Sequence, residues 1–145
     1  MGRFARAWSK RGLLLEVALL LFLIRLSLIL FPVHFVRRFF LRNERVSPEG
    51  SAPFPSEIPW AVSAVSRYLM GNGSCLPRAL ATMVLLERRG CPAVLQIGVA
   101  KGEGQPLRAH AWVESRGIVV MGGAVDGRYL PLAVLQNLPA DRRKV

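Results

Sequence analysis

The sequence predicts an α+β fold in which a helix packs on an antiparallel sheet and an apolar helix precedes them. Apolar residues recur at helical spacing up to Gly90, apart from one proline-rich interruption, and short alternating or β-branched segments follow. The 145 residues suffice for one domain with an appendage. With 52% hydrophobic and 20% charged residues, the chain is expected to fold around a core rather than to be disordered.

The first element is an apolar helix bordered by basic residues. Residues 1–45 contain nine Lys or Arg and two Glu, a net charge of +7, around the run GLLLEVALLLFLIRLSLILFPVHF. The run is long enough to cross a bilayer, but Glu16 and Arg25 interrupt it, and the flanking charges favour neither orientation. No cleavage site typical of a secretory signal follows. Three placements stay open: docked on its own domain or a partner, lying on a membrane surface, or spanning it.

A proline-rich segment separates this appendage from the rest of the chain. SPEGSAPFPSEIP contains four prolines and few apolar residues, which is typical of a linker. The expected organisation is a helical segment over 1–45, a linker over 46–59 and a compact domain over 60–145. A cytoplasmic location is expected, and residues 12–40 could associate the protein with a membrane.

Two helices are predicted at the start of the compact domain. WAVSAVSRYLM would place Ala61, Val65, Tyr68 and Leu69 on one face of a short helix. The second helix would begin after an N-cap at Ser74, with Cys75 at its first position, and end at Gly90. Pro77 is compatible with the first turn, and arginines at the other end suit the helix dipole.

Three antiparallel strands are predicted after the helices, in AVLQIGVA, LRAHAWVE and GIVVMGG. The last two would form a hairpin with Arg116 and Gly117 at its tip. RYLPLAVLQNLP would add a short strand or helix.

Cys75 and His110 are candidate reactive residues. A thiolate is favoured at a helix N-terminus, where backbone N–H groups have no partner and the dipole is positive. A histidine on a strand could serve as its base. Cys91 follows the opposite helix end, about 24 Å away, so a disulfide is excluded. The alternative for each cysteine is a small buried hydrophobic residue.

A third group that orients the imidazole is harder to assign. Glu114 would lie about 13 Å from His110 along the strand, and the residues opposite His110 would be Gly122 or Gly123. Asp126 is then the nearest acid, although it also suits a turn. Asn72 could donate to an oxyanion, or serve in a turn or cap.

Several other classes of site are not expected. Two distant cysteines and two histidines form no metal-ligand spacing, and no cofactor is expected. Nucleic-acid binding is not expected because the basic residues concentrate around the apolar run.

The segments SCLPRALATMVLLERRG, LQIGV and HAWVE resemble the leader peptidases of lasso-peptide biosynthesis, a branch of the transglutaminase-like, papain-like cysteine fold. The resemblance covers about residues 60–125. It implies that Cys75 is the nucleophile, His110 the base and Asp126 the third catalytic residue. Arg78 matches a family position, which implies a role in positioning the substrate or the oxyanion.

The resemblance also implies the reaction, which is hydrolysis of one peptide bond between leader and core of a ribosomally made precursor. Residues 1–45 are too short and apolar for a leader-recognition domain, so a separate recognition protein and an ATP-dependent macrolactam synthetase are the implied partners. Two alternatives stay open. One is an acyl transferase or deamidase on the same fold, and the other is a non-catalytic membrane or assembly adaptor.

Overall fold

Three helices and a four-stranded antiparallel sheet make up the described part of the chain. The computed structural model describes residues 10–32, 54–71, 75–100, 104, 106, 108–123 and 130–136. The α+β class is confirmed. The elements are helices α1 (Lys10–Leu30), α2 (Glu57–Leu69) and α3 (Cys75–Arg88), and strands β1 (Val94–Ala100), β2 (Arg108–Ser115), β3 (Ile118–Met121) and β4 (Leu130–Gln136).

The sheet has the strand order β3-β2-β1-β4, with neighbouring strands antiparallel. The three expected strands are present, and the later segment adds a strand rather than a helix. The β2–β3 hairpin turns at Arg116 and Gly117, whose φ angles are 52° and 77°. Two consecutive positive φ angles are typical of the type I′ turn, which matches strand twist. The predicted hairpin tip is therefore confirmed.

Helix α3 lies at the centre of the fold. All eight residues from Ala79 to Leu86 are buried, so the helix is enclosed on every side rather than along one stripe. Helices α1 and α2 and strand β2 all contact it. The helix ends as predicted, because Gly90 adopts φ +73° and its N–H donates to the Glu87 carbonyl oxygen at 2.9 Å. The Cys91 N–H donates to the Leu86 carbonyl at 2.9 Å, which completes a Schellman motif.

Helix α2 begins earlier than the sequence predicts. Its first residue is Glu57, three positions before Trp60. Pro59 lies in the first turn, where a helix needs no backbone N–H, so the end of a proline-rich segment can be helical.

The buried face of α2 also differs from the prediction. The face predicted over Ala61, Val65, Tyr68 and Leu69 is buried at Ala61 and partly buried at Val65, but Leu69 is exposed and Tyr68 is 92% exposed. The early start adds Ile58, which pairs with Val62 one turn later. The buried residues of α2 are Ile58, Ala61, Val62 and Ser66.

Helix α1 packs on the domain along one stripe and contributes to the same hydrophobic core. The helix contacts both α2 and α3. Its Glu16 carboxylate lies 3.7 Å from Nη1 of Arg88 at the end of α3, which directs the one acid of the apolar run towards the domain. By length and composition the helix could also cross a membrane. The buried residues of α1 are Leu13, Val17, Leu20, Leu21 and Ile24.

Candidate functional site

Cys75 is the first residue of α3 and carries a free, partly exposed thiol. The first turn of a helix contains backbone N–H groups without partners inside the helix. These donors and the positive end of the helix dipole can stabilise an oxyanion that forms beside the Cys75 sulfur. Cys91, the second cysteine, is also free but buried at the far end of α3.

His110 lies on β2, where two contacts fix its ring. Its Nε2–H donates to the Gly122 carbonyl oxygen at 2.7 Å. The ring also stacks on Trp112, with centroids 6.2 Å apart and planes inclined by 19°. Because the carbonyl only accepts, the proton of a neutral imidazole is assigned to Nε2 and the basic lone pair to Nδ1.

Cys75, Arg78 and His110 line one cleft of about 300 Å³, together with Met121, Gly122 and Gly123. The structure therefore brings the predicted thiol and imidazole to a common, accessible space. Asp126 and Asn72 lie outside the described residues, and their assignments stay predictions. Among the described residues, no three His, Cys, Asp or Glu side chains cluster as metal ligands would.

Gly122 provides an acceptor for His110 that no pattern in the sequence predicts. A bulge shifts the β2–β3 register by one residue between Val113 and Glu114. Gly122 then lies against Trp112, and a Cβ atom on it would be 2.6 Å from the Trp112 Cβ. The glycine thus permits a close approach that brings its carbonyl to His110. The only signal in the sequence was the Gly-Gly pair at the end of the strand.

Glu114 is engaged elsewhere, as its predicted distance from His110 suggested. Its Oε1 accepts a hydrogen bond of 2.9 Å from the indole N–H of Trp112. The carboxylate therefore fixes the ring on which the imidazole stacks.

Arg78 lies one helical turn after Cys75 and has an unused donor. Its Nη2 donates to Ser63 Oγ at 3.2 Å and approaches Met121 Sδ at 3.8 Å. Its Nε is buried and has no hydrogen-bond partner. An unsatisfied buried donor costs free energy, so a ligand carbonyl or carboxylate that reaches it would be favoured.

A second cleft, of about 420 Å³, lies along α2 and is lined by Trp60, Ser63, Ala64, Arg67 and Tyr68. The two clefts are neighbours, because the hydroxyl of Ser63 in the second cleft accepts the hydrogen bond from Arg78 in the first. Aromatic rings and a guanidinium group thus extend the surface available to a ligand beyond the thiol.

A thiol at a helix start and an imidazole on a strand, both lining one cleft, suit nucleophilic catalysis by cysteine. The family model of the transglutaminase-like superfamily matches residues 14–134. The chain therefore belongs to this superfamily, whose members are typically similar to cysteine proteases. The match includes most of α1 as well as the sheet. Comparison with curated proteins and with solved structures gives no match.

Proposed function

We propose that the chain is a cysteine peptidase that removes the leader from a ribosomally made lasso-peptide precursor. The observation that carries the peptidase assignment is the common cleft of Cys75 and His110. The superfamily match supports thiol chemistry. The finer assignment to lasso-peptide precursors rests on the motifs in SCLPRALATMVLLERRG and HAWVE.

The mechanism follows from the tautomer of His110. Nδ1 accepts the thiol proton of Cys75, and the sulfur attacks the scissile carbonyl carbon. Backbone N–H groups at the start of α3 stabilise the oxyanion that forms. Nδ1–H then protonates the departing amine of the core peptide as the C–N bond breaks, which leaves the leader as a thioester on Cys75. Water, deprotonated by Nδ1, attacks the thioester carbon, and the leader is released as its carboxylic acid when the C–S bond breaks. Nδ1–H then returns the proton to the Cys75 sulfur, which restores the thiol.

The two neighbouring clefts suit an extended peptide rather than a small molecule. Arg78 would position the substrate through its guanidinium group, since the residue lines the cleft of Cys75 and His110. The α2 cleft would hold residues further along the peptide against Trp60 and Tyr68. In this arrangement the cleft of Cys75 and His110 carries out the reaction, and the α2 cleft contributes to the affinity for the peptide.

The proposal includes two partners and a location. A separate recognition protein would deliver the leader, and an ATP-dependent macrolactam synthetase would close the freed core. The reaction would take place in the cytoplasm, where the precursor is synthesised.

The test is to incubate a lasso-peptide precursor with the chain and a leader-recognition protein and to follow cleavage by mass spectrometry. Cys75→Ala and His110→Ala should each abolish cleavage because thiolate attack requires both groups. Cys91→Ala is the matched control and should retain cleavage, since Cys91 lies at the far end of α3. Circular dichroism should show that all three variants are folded. Cleavage by either active-site variant would refute the mechanism.

The superfamily match also favours a second candidate, acyl transfer or deamidation at glutamine side chains by the same cysteine and histidine. The same spectra separate the two reactions. A peptidase yields two fragments, whereas acyl transfer or deamidation leaves an uncut chain of altered mass. A third result, failure of iodoacetamide to label Cys75 at neutral pH, would favour the non-catalytic adaptor.

A further inference from the structure

The outer face of α1 carries seven exposed large apolar side chains that no other described residue covers. At 100° per residue, its exposed apolar side chains fall within a sector about 120° wide, opposite the buried stripe. Leu15 and Ile29 are each 73% exposed and Phe22 is 60% exposed. Soluble proteins rarely expose so continuous an apolar face without a partner for it. The exposed residues are Leu15, Leu19, Phe22, Leu23, Leu26, Ile29 and Leu30.

The charges around this face are positive. Arg11 lies one turn before Leu15 and Arg25 one turn before Ile29, and both are exposed. Glu16, the one acid of α1, points to Arg88 of the domain instead. Long arginine side chains at the edge of an apolar face can reach lipid phosphates while the face itself inserts.

Positive charges flank α1 at both ends in the sequence, and this favours a helix that lies in the membrane plane over one that crosses the bilayer. The sequence places arginines both before the helix, at Arg3 and Arg6, and after it, at Arg37 and Arg38. A spanning helix would put one of these groups on the wrong side of the membrane. A helix in the plane keeps both at the level of the headgroups.

The packing of the inner face of α1 is a second argument against a helix that crosses the bilayer. This face is buried against α2 and α3, and removing it would uncover the apolar side chains that it contacts. The helix can therefore contact lipid with one face only.

We propose that the exposed face of α1 docks the protein on an anionic lipid surface, with the helix axis in the plane of the membrane. Docking in this way holds the domain at the membrane surface, and α1 does not cross the bilayer. The occupant is a lipid surface because the face offers no hydrogen-bonding group and two exposed arginines, Arg11 and Arg25, lie along one of its edges, where they can contact the headgroups of an anionic bilayer.

Co-sedimentation of the full chain with phosphatidylcholine vesicles, with and without phosphatidylglycerol, tests the proposal. Binding to the anionic vesicles should be at least about tenfold stronger and should weaken as salt is raised. The double variant Phe22→Gln with Leu26→Gln should lose at least about tenfold in binding because its apolar face no longer inserts. The substituted residues are exposed, so the thermal unfolding midpoint should not fall.

Ile118→Gln with Val119→Gln is the matched control, since both residues are exposed on β3 instead of α1. It should bind vesicles as the unsubstituted chain does. Failure to bind anionic vesicles, or equal loss in both double variants, would overturn the proposal. Resistance to extraction at alkaline pH would show a spanning helix, and dimerisation through α1 in sedimentation velocity would show a second copy as the occupant. Either result would also overturn it.

Discussion

At the scale of single residues, the candidate site shows which functional groups leave a signal in the sequence. Cys75 and His110 could be predicted because a helix start and an alternating strand are both visible in local patterns. The hydrogen-bond acceptor for His110 could not be predicted, because it is a backbone carbonyl and every residue has one. Only the bulge and the close approach of Gly122 to Trp112 select it. The assignment of Asp126 stays a prediction.

Gly122→Ala should therefore disturb the site without changing any reacting side chain. Its Cβ would meet Trp112 Cβ at 2.6 Å and Cα at 2.8 Å, so the carbonyl must move away from His110. Alkylation of Cys75 by iodoacetamide at neutral pH should slow by about tenfold because the imidazole is no longer held as the base.

Gly123→Ala provides the control for backbone strain. Gly123 also has positive φ, +75°, but a Cβ there would have no atom within 4 Å. Its alkylation rate should stay close to that of the unsubstituted chain, at a stability cost of about 1 kcal/mol. Equal slowing in both variants would show that strain, rather than the Gly122 carbonyl, explains the effect.

At the scale of elements, the ends of helices and hairpins could be predicted where particular residues mark them. The face that a helix buries could not. The end of α3 at Gly90 and the hairpin tip at Arg116 both depend on residues that tolerate positive φ. The start of α2 was missed because Pro59 is equally compatible with a linker and a first helical turn. Its buried face depends on packing against α1 and α3, which no local pattern records.

The exposed face of α2 should bind peptide but take no part in chemistry. Trp60→Ala should raise KM for the precursor roughly fivefold, as expected for about 1 kcal/mol of lost aromatic contact, with kcat unchanged. Leu69→Ala is the control, because Leu69 is exposed on the same helix but does not line the second cleft. A fall in kcat with constant KM would contradict the division between the two clefts.

At the scale of the whole molecule, the position of α1 was the hardest to predict from the sequence. An apolar run such as LLLEVALLLFLI looks the same whether it faces a core, lipid or both. The structure separates its two faces. One belongs to the core that α2, α3 and the sheet share, and the other is exposed.

If α1 is part of that shared core, a change in the buried face of α1 should alter the exposure of Cys91, which follows α3 and is also buried. Leu21 is fully buried, and Leu21→Ala should lower the free energy of unfolding by about 2–5 kcal/mol. Cys91, buried between α3 and β1, should then react with a thiol reagent at least about 30-fold faster, because its exposure requires global unfolding. Leu19→Ala removes the same atoms from the exposed face and should leave the Cys91 rate nearly unchanged. If Leu21→Ala also left that rate unchanged, α1 would have to open independently of the domain, and its buried stripe would be available to lipid as well.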